Sequence, residues 1–375
     1  MRLLPFIVVL TLTACTARER VDYVQGPPAA GTALTTMIVA TTRQQEPDQT
    51  TPGWDRSENV AYGRYTVSIP PDREVGEIPR PRGRQAADPQ RHFMLAETQD
   101  LTGQGFEGAV RAALSQMPPS EREAVVFVHG FNNTFIQGLY RGAQLDHDLR
   151  LPGVMLQYSW PSLGAPLAYA YDRDSALFAR DGLVEMLQRT QAAGPRRIIL
   201  MAHSMGAHLV MEAMRQLALT HDPALNAIGG VFLLSPDIDV DLFRQQVRAI
   251  GQLPRPFVIV TSQRDRILTL SARLTGETAR LGNLSDVTPV EGLGVTLVDV
   301  SAFSQGVGHF TVGSSPALIG LLDQMHAVNA ALATDASGAL PLLPATILTL
   351  QNTTQVILQP MTETRPRRIL PAWLR

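Results

Sequence analysis

A serine stands at the end of an unbroken apolar run, in a setting that would expose and activate its hydroxyl. The run RRIILMAHSMG spans residues 196–206, and Ser204 lies between the small residues Ala202 and Gly206. A nucleophilic serine on a sharp strand-to-helix turn needs small residues two positions before and after it, because strand and helix approach closely there. The spacing therefore predicts that Ser204 is a nucleophile on such a turn.

A second apolar run, AVVFVHGFNNTF, begins at Ala124 and ends in a loop that contains His129, Gly130 and Phe131. Attack on a carbonyl builds negative charge on its oxygen, and aimed backbone N–H groups stabilise that charge. We expect one N–H from Met205, the residue after the nucleophile, and the other from Phe131, since Gly130 permits the turn that presents it. Taken alone, this run could be no more than a tight turn after a core strand.

A nucleophilic serine needs a base, and His309 is the histidine best placed to supply it. It lies in SAFSQGVGHF, a glycine-containing loop that follows the strand-like segment GVTLVDV. The other downstream histidines fit less well. His208 falls on the helix of the nucleophile, where its ring would pack on the sheet, and His221 and His326 are expected on the surface. By elimination, His309 is predicted to take the serine proton.

The carboxylate that would orient this base has two possible sources. Asp265 follows the strand-like segment PFVIVTSQRD, whereas Asp237 and Asp239 follow the strand-like segment GGVFLL. We favour Asp265, because the order Ser, acid, His is then kept and the later strand is the commoner position for the acid. Each aspartate could instead cap a helix, since Asp is a preferred N-cap residue. Asp237 and Asp239 remain the alternative acids.

These motifs, in this order, resemble an uncharacterised family of bacterial α/β-hydrolases, related to esterases and lipases, that carries a domain-of-unknown-function label. The matching pieces are GRYTVSIP with a following GEIPRP, VVFVHGFNNTF, QYSWPS, YDRDSA, LMAHSMG, LLSPDID, TSQRDRIL and GHF, over about residues 35–325. The resemblance implies a Ser, Asp, His hydrolase of esters, with Ser204, Asp265 and His309 as the corresponding residues. It implies no particular substrate.

The distribution of apolar runs predicts an α/β-hydrolase fold, a doubly wound, mostly parallel sheet with extra N-terminal strands. Runs without polar alternation are typical of parallel strands covered on both faces, and helix-like segments separate them. The predicted strands are 123–128, 153–158, 196–202, 229–235, 256–261 and 294–300, and the predicted helices are 137–149, 174–193, 205–219, 239–249, 266–281 and 315–333. TTMIVATTR and YGRYTVSIP are expected to add antiparallel edge strands.

The loop SWPSLGAPLAYAYDRDSA carries Trp160 and Tyr169 on the sheet edge that is expected to hold the nucleophile. Ligands of such sheets bind at the carboxyl ends of the strands, so these aromatic residues either form a wall of the pocket or lie in the core. Asn132 and Asn133 are expected to fix the loop of Phe131 through side-chain hydrogen bonds to the backbone, or to serve ordinary turn chemistry.

The first residues, MRLLPFIVVLTLTAC, resemble a bacterial lipoprotein signal. One Arg precedes a short apolar run, and Cys15, the only cysteine in the sequence, ends it. The run is too short for a membrane span and has the layout of a secretory signal. We expect a signal peptide over 1–14 and a lipid anchor and tether over 15–34. The resemblance implies an outer-membrane lipoprotein facing the periplasm; a cleaved signal with release to the periplasm is the alternative.

One catalytic domain is expected over residues 35–338, followed by a C-terminal extension over 339–375 whose role is not assigned. A formal charge of −2 with 18% charged residues leaves no basic excess for nucleic acid. No Cys and His cluster has zinc spacing and no phosphate-binding glycine loop follows a strand, so neither a metal nor a nucleotide cofactor is indicated. The expected partners are a small-molecule or lipid ester and the membrane, through lipidated Cys15.

The predicted chemistry is cleavage of a carboxylic ester through an acyl-enzyme on Ser204, with no cofactor. Two alternatives remain open from the residues alone. The same acyl-enzyme could be resolved by an alcohol, which would make the protein an acyltransferase. The chain could also keep a hydrolase fold as a non-catalytic binding or scaffold protein of the cell envelope, because fold does not dictate function.

Overall fold

Eleven strands form one sheet in the computed structural model, which describes residues 20–46, 50–274, 276, 279–304, 308–320, 345–350 and 353–358. The strands are β1 (Ala33–Arg43), β2 (Arg56–Ile69), β3 (Met94–Leu101), β4 (Ala124–Val128), β5 (Val154–Ser159), β6 (Ile198–His203), β7 (Ile228–Leu234), β8 (Phe257–Thr261), β9 (Thr296–Asp299), β10 (Ala345–Leu350) and β11 (Thr353–Leu358). Their order is β10, β11, β9, β8, β7, β6, β4, β5, β1, β2, β3. All neighbours from β11 to β1 are parallel.

Helices cover both faces of this sheet and bury the apolar strands between two cores. They are α1 (Gly103–Ser115), α2 (Phe135–Leu149), α3 (Tyr169–Phe178), α4 (Arg180–Ala193), α5 (Met205–Leu219), α6 (Ala224–Ala227), α7 (Val240–Ile250), α8 (Arg266–Leu274) and α9 (Thr311–Ser314). The sequence of strand β4 has no polar alternation because both of its faces are covered. Val126 packs with α4 and α5, and Val125 and Phe127 pack with α2 on the other side. Both faces of a central strand are therefore apolar.

The predicted doubly wound, mostly parallel sheet is confirmed, and each predicted strand overlaps an observed one. The helix expected over 174–193 is two helices, α3 and α4, which meet at Ala179. The carbonyl of Ala179 accepts a hydrogen bond of 2.6 Å from the Tyr158 hydroxyl. Neither strand β3 nor helix α1 is among the predicted elements. Strand β3 lacks an apolar run because its polar residues are exposed at the sheet edge. Helix α8 ends earlier than expected, and residues 321–333 of the last predicted helix lie outside the described chain.

The expected pair of antiparallel N-terminal edge strands is only partly correct. Strand β2 is antiparallel to β1, but β1 is also parallel to β5 and lies inside the sheet, with Ile38 opposite Leu156. The physical reason is that the second half of β1 is buried throughout, which an interior position provides and an edge does not. The unpredicted strand β3 forms the outer edge instead.

The two ends of the expected domain reach further along the chain than the sequence suggested. Within the segment assigned to a tether, the carbonyl of Asp22 accepts a 2.9 Å hydrogen bond from the amide of Leu95, and the Val24 amide donates one of 2.8 Å to the Leu95 carbonyl. Strands β10 and β11, inside the extension assigned to 339–375, continue the sheet beyond β9. The predicted signal peptide and Cys15 lie outside the described residues.

Residues 70–93 connect β2 to β3 without helix or strand. Arg73, near the start of this connection, pairs with Asp148 of α2, and both side chains are almost fully buried. In the parts of the chain that the structure describes, no helix is both long and apolar enough to span a membrane.

The start of α5 lies so close to the end of β4 that no side chain fits at Gly206. A Cβ atom there would lie 2.3 Å from the carbonyl oxygen of His129 and 2.7 Å from that of Val128. We expect Gly206→Ala to lower the free energy of unfolding by about 1–3 kcal/mol, the usual cost of overpacking. Gly108→Ala is the matched control, since a Cβ on this exposed face of α1 meets nothing within 4 Å. It should raise stability by up to about 1 kcal/mol. Urea unfolding measures both, and equal effects would contradict the prediction.

Candidate active site

The nucleophile candidate occupies the turn between β6 and α5. Ser204 has φ 52° and ψ −123°, a strained conformation for a residue with a side chain. Its amide donates a 3.0 Å hydrogen bond to the carbonyl of Leu234, and its carbonyl accepts one of 3.2 Å from Asp237. The two bonds tie the turn to the end of the neighbouring strand β7 and to the loop after it, so the Ser204 side chain is held at the carboxyl edge of the sheet.

The loop after β4 approaches this turn from the other side, at Gly130. A Cβ atom on Gly130 would lie 2.7 Å from the Nδ1 atom of His203 and 2.9 Å from the Cβ atom of Ser204. A glycine is therefore required at 130 by the contact itself. The motif residues Gly130 and Gly206, which lie far apart in the sequence, serve one purpose: they let the β4 loop and the nucleophile turn touch.

Three side chains predicted from the sequence form one chain of hydrogen-bond contacts. The Nε2 atom of His309 lies 2.9 Å from the Oγ atom of Ser204, and its Nδ1 atom lies 2.8 Å from the Oδ2 atom of Asp265. Asp265 is fully buried, whereas the His309 side chain keeps 14% of its exposure. This is the geometry in which an imidazole can accept a serine proton while a carboxylate fixes its orientation.

Asp265 also caps helix α8, which the sequence analysis treated as a competing interpretation. Its Oδ1 atom accepts a 3.0 Å hydrogen bond from the amide of Leu268, while Oδ2 faces His309. A carboxylate has two oxygens, so one residue performs both tasks. The position at the start of a helix also favours the negative charge, because the helix dipole is positive there.

His309 reaches the serine because the loop after β9 turns at Gly308. Gly308 has φ 70°, and a Cβ atom there would lie 2.9 Å from the carbonyl oxygen of Arg264. The adjacent Phe310 ring packs edge-on against the ring of His203 at 4.3 Å between centroids, and the Nε2 atom of His203 lies 3.3 Å from the His309 carbonyl. His203, which precedes Ser204, therefore supports the histidine loop, through a contact that no sequence motif indicates.

The surroundings of His203 disfavour a positive charge on its ring. Its ring is buried, and burial holds the pKa of the His203 imidazole well below its ordinary value, with the neighbouring His309 acting in the same direction. A lowered pKa at His203 disfavours a second positive charge next to the His309 ring.

The two alternative acids are committed to other contacts. Asp237 accepts hydrogen bonds from the Tyr169 hydroxyl at 2.9 Å and from the Ser271 hydroxyl at 2.7 Å, and it pairs with Arg280 at 3.2 Å. Asp239 caps helix α7 through a 2.8 Å hydrogen bond from Leu242, which is the capping role that the sequence analysis left open. Of the candidate carboxylates, Asp265 is the one that faces His309.

The two predicted oxyanion amides lie on either side of the nucleophile turn. Met205 is the first residue of α5, and Phe131 follows Gly130, which touches Ser204. Neither amide donates a hydrogen bond to another group among the described residues.

The loop of Phe131 is braced by an asparagine, as expected. The side-chain amide of Asn133 donates to the carbonyls of Gly130 and Phe131 at 3.1 and 2.8 Å. Asn132 contributes differently: its φ is 57°, and its backbone amide donates to Asp172 at 3.2 Å. Asp172 belongs to the YDRDSA motif, and its contact with this loop depends on the tertiary fold rather than on any local pattern.

Trp160 lies in the core and not in the pocket wall. Its indole is fully buried, stacks on the ring of His129 at 5.1 Å and donates a 2.7 Å hydrogen bond to the His129 carbonyl. Burial lowers the pKa of the His129 imidazole to about 3, and its Nδ1 atom lies 2.9 Å from the Gly130 carbonyl. The neutral His129 and Trp160 form a rigid base under the oxyanion loop.

Tyr169 does lie beside the site. Its ring packs edge-on against Phe131 at 5.5 Å and borders a cavity of about 210 Å³ next to Met205. His208 also lines this cavity, and burial lowers the pKa of its imidazole. The complete lining is Tyr169, Arg173, Met205, His208, Asp237, Asp239, Leu242 and Arg280. The space beside the nucleophile is therefore polar on this side.

The fold and the site geometry define the class of this protein as an α/β-hydrolase. The chain belongs to the family described as "Alpha/beta hydrolase of unknown function (DUF900)", whose model matches residues 107–325. The matched range contains Ser204, Asp265 and His309. A comparison of the sequence with curated proteins finds no match.

Three solved structures of esterases or esterase-related proteins are similar to this chain at low sequence identity. A fungal esterase from Rhizomucor miehei is 13% identical, with 83% of this chain and 85% of that chain covered and a TM-score of 0.33. The esterase Est22 is 12% identical over 82% and 80%, with a TM-score of 0.32. A lipase-esterase related protein from Clostridium acetobutylicum is 14% identical over 54% and 83%, with a TM-score of 0.23. Similarity at this level says nothing about substrate.

Substitution of the aspartates separates the acid from its alternative. Asp265→Asn keeps the volume but presents an amide to Nδ1 of His309, which favours the wrong tautomer; we expect kcat for an ester to fall by roughly 10⁴-fold. Asp237→Asn, which leaves the His309 contact intact, should cost kcat far less. Steady-state kinetics on both folded variants measure the difference. A larger loss in Asp237→Asn than in Asp265→Asn would make Asp237 the acid.

Proposed function

We propose that the protein is a serine hydrolase that cleaves carboxylic esters through an acyl-enzyme on Ser204. One observation carries the proposal: the continuous contact from Ser204 Oγ through His309 to the buried Asp265, at 2.9 and 2.8 Å. The contact lies in a chain that belongs to an α/β-hydrolase family. A nucleophile, a base within reach of it and an oriented carboxylate are together the requirements for covalent acyl transfer.

The first half of the reaction acylates the enzyme. His309 Nε2 takes the Ser204 proton as Oγ bonds to the ester carbonyl carbon, and the carbonyl oxygen becomes an oxyanion held by the amides of Phe131 and Met205. Asp265 keeps the other imidazole proton on Nδ1 and stabilises the imidazolium. When the tetrahedral intermediate collapses, the bond to the leaving oxygen breaks and His309 donates its proton to that oxygen. The alcohol departs and the acyl group stays on Ser204.

The second half returns the enzyme to its starting state. His309, neutral again, takes a proton from water as the water oxygen attacks the acyl carbon. The same two amides hold the new oxyanion, and collapse of this intermediate breaks the bond to Ser204 Oγ, which recovers its proton from His309. The products are a carboxylic acid and an alcohol, and no cofactor enters either half of the reaction.

A lipid anchor on Cys15 is the second part of the proposal, and it rests on the sequence of the chain start. From Cys15 to Asp22, where the chain already pairs with β3, the backbone can span at most about 25 Å. Such a tether would keep the catalytic domain close to the membrane of the cell envelope, facing the periplasm. Membrane esters and soluble esters would then both be within reach of the site.

Lipidation of the chain can be measured directly in a bacterial host that is fed an alkyne-labelled fatty acid. The full chain should take up the label and sediment with membranes, because Cys15 is the only sulfur nucleophile that can carry a lipid. Cys15→Ser should lose both properties. Thr16→Ser is the control, since it leaves the cysteine in place, and it should behave like the unaltered chain. Labelling that survives in Cys15→Ser would contradict the anchor.

The acyl-enzyme itself is tested with a fluorophosphonate, which phosphonylates an activated serine, followed by intact-mass measurement and an ester hydrolysis assay. The unaltered protein should gain one adduct and hydrolyse esters, and Ser204→Ala should do neither. Ser235→Ala is the matched control: Ser235 follows β7 with φ 45°, so it repeats the backbone setting of Ser204 one strand away. It should keep both properties. Full hydrolysis by folded Ser204→Ala would end the assignment.

A further inference from the structure

A buried arginine joins the oxyanion loop to the rest of the fold. Arg43, the last residue of β1, is 1% exposed, and its guanidinium donates to the carbonyls of Asn133 at 2.8 Å and of Ser162 and Gly53 at 3.0 Å each. It also donates to the Ser159 hydroxyl at 3.0 Å. A guanidinium is tolerated in a protein interior only where such acceptors surround it. Arg43 thus connects β1, the loop after β4 and the loop after β5.

A buried aspartate holds the same two loops through other groups. Asp172 of α3 is fully buried and accepts hydrogen bonds from the amides of Asn132 at 3.2 Å and Leu163 at 2.8 Å, and from the hydroxyl of Ser162. The hydroxyl oxygen of Ser162 also accepts a 3.1 Å hydrogen bond from the amide of Asn133. Burial raises the pKa of the Asp172 carboxyl, while these hydrogen bonds and the charge of Arg43 act in the other direction.

The two charges act on complementary groups of the loop. Arg43 can only donate and binds the carbonyl of Asn133, whereas Asp172 accepts and binds the amide of Asn132. Phe131 lies between the anchored Asn132 and Gly130, which is so close to the nucleophile turn that a Cβ atom on it would lie 2.9 Å from the Cβ atom of Ser204. The direction of the Phe131 N–H is therefore fixed on both sides.

We propose that Arg43 and Asp172 are positioning residues that hold the Phe131 N–H at the place where the oxyanion forms. The inference rests on the proposed ester hydrolase function, and it assigns to both residues an effect on the transition state that reaches the substrate through the loop. The bonds of the Asn133 side chain do not replace them, because these bonds stay within the loop and set its shape only. The bonds of Arg43 and Asp172 set its position relative to the sheet and α3.

Three variants test the proposal: Arg43→Lys, which cannot span all the carbonyls; Asp172→Asn, which replaces an acceptor oxygen by a donor; and Glu123→Gln as control. Loss of a whole oxyanion donor costs about 10²–10³-fold in kcat, so a displaced one should cost roughly 10- to 100-fold. KM should stay nearly unchanged, because the oxyanion contact is made in the transition state. Glu123 is a buried carboxylate paired with Arg197 directly before β4, at the opposite edge of the sheet. Glu123→Gln should lose stability and keep kcat.

A second readout separates positioning of the oxyanion hole from a general loss of structure. An alkyl trifluoromethyl ketone adds to Ser204 as a hemiketal oxyanion and so imitates the transition state. Its affinity should weaken in Arg43→Lys and Asp172→Asn by the same factor as kcat/KM. The pH dependence of kcat/KM should be unchanged, because His309 and Asp265 are not substituted. Loss of kcat with unchanged inhibitor affinity would overturn the proposal.

The outcomes distinguish this proposal from the function on which it rests. An unaltered protein without ester hydrolysis overturns both. Normal turnover of the unaltered protein, with unchanged kcat in both variants, overturns the positioning role alone. Should neither variant fold, Ser162→Ala removes just the hydroxyl between Asn133 and Asp172. It should show a smaller loss of kcat and of inhibitor affinity together, and unchanged values in this folded variant would overturn the proposal as well.

Discussion

The sharp turn at Ser204 is the constraint on which the rest of the site depends. With φ at 52°, the chain leaves β6 and enters α5 without an intervening loop, so the helix must start against the end of β4. That contact leaves 2.3 Å between a notional Cβ on Gly206 and the His129 carbonyl, and it brings Gly130 against Ser204. The strained backbone conformation persists because Leu234, at the end of β7, and Asp237, in the loop after β7, hold the turn by hydrogen bonds. One backbone conformation thereby fixes the nucleophile and the approach of the oxyanion loop.

Parallel strands then bring the remaining groups together. Phe131 follows β4, Asp265 follows β8 and His309 follows β9, and the carboxyl ends of parallel strands lie at one edge of the sheet. Residues separated by more than a hundred positions need no long loops to meet there, because each strand delivers its own loop. The buried Asp265 fits this arrangement: it ends one loop, starts helix α8 and faces the histidine of the next loop.

The residues of this site whose chemistry depends on local sequence could be predicted. The residues whose role depends on tertiary partners could not. Ser204 was recognisable from its small neighbours, and the strands from unbroken apolar runs. The interior position of β1 was not, since an apolar run does not show how many strands flank it. Arg43 is the clearest limit: an arginine after TTMIVATT reads as the polar end of a strand, and its burial follows from acceptors contributed by Gly53, Asn133 and Ser162.

The buried charges explain why the loop of Phe131 keeps a shape in which the Phe131 N–H has no acceptor among the described residues. An N–H without an acceptor lowers stability by about 1–3 kcal/mol where it is shielded from water, so a free loop would relax to satisfy it. The Phe131 amide donates to no described residue, whereas the amides and carbonyls on either side of it are engaged by Asp172, Arg43 and Asn133. Relaxation of Phe131 would break hydrogen bonds made by the buried charges of Asp172 and Arg43, and a lost hydrogen bond to a buried charge costs more than one free neutral N–H. The loop of Phe131 therefore keeps its shape, because relaxing it would lower the stability of the fold.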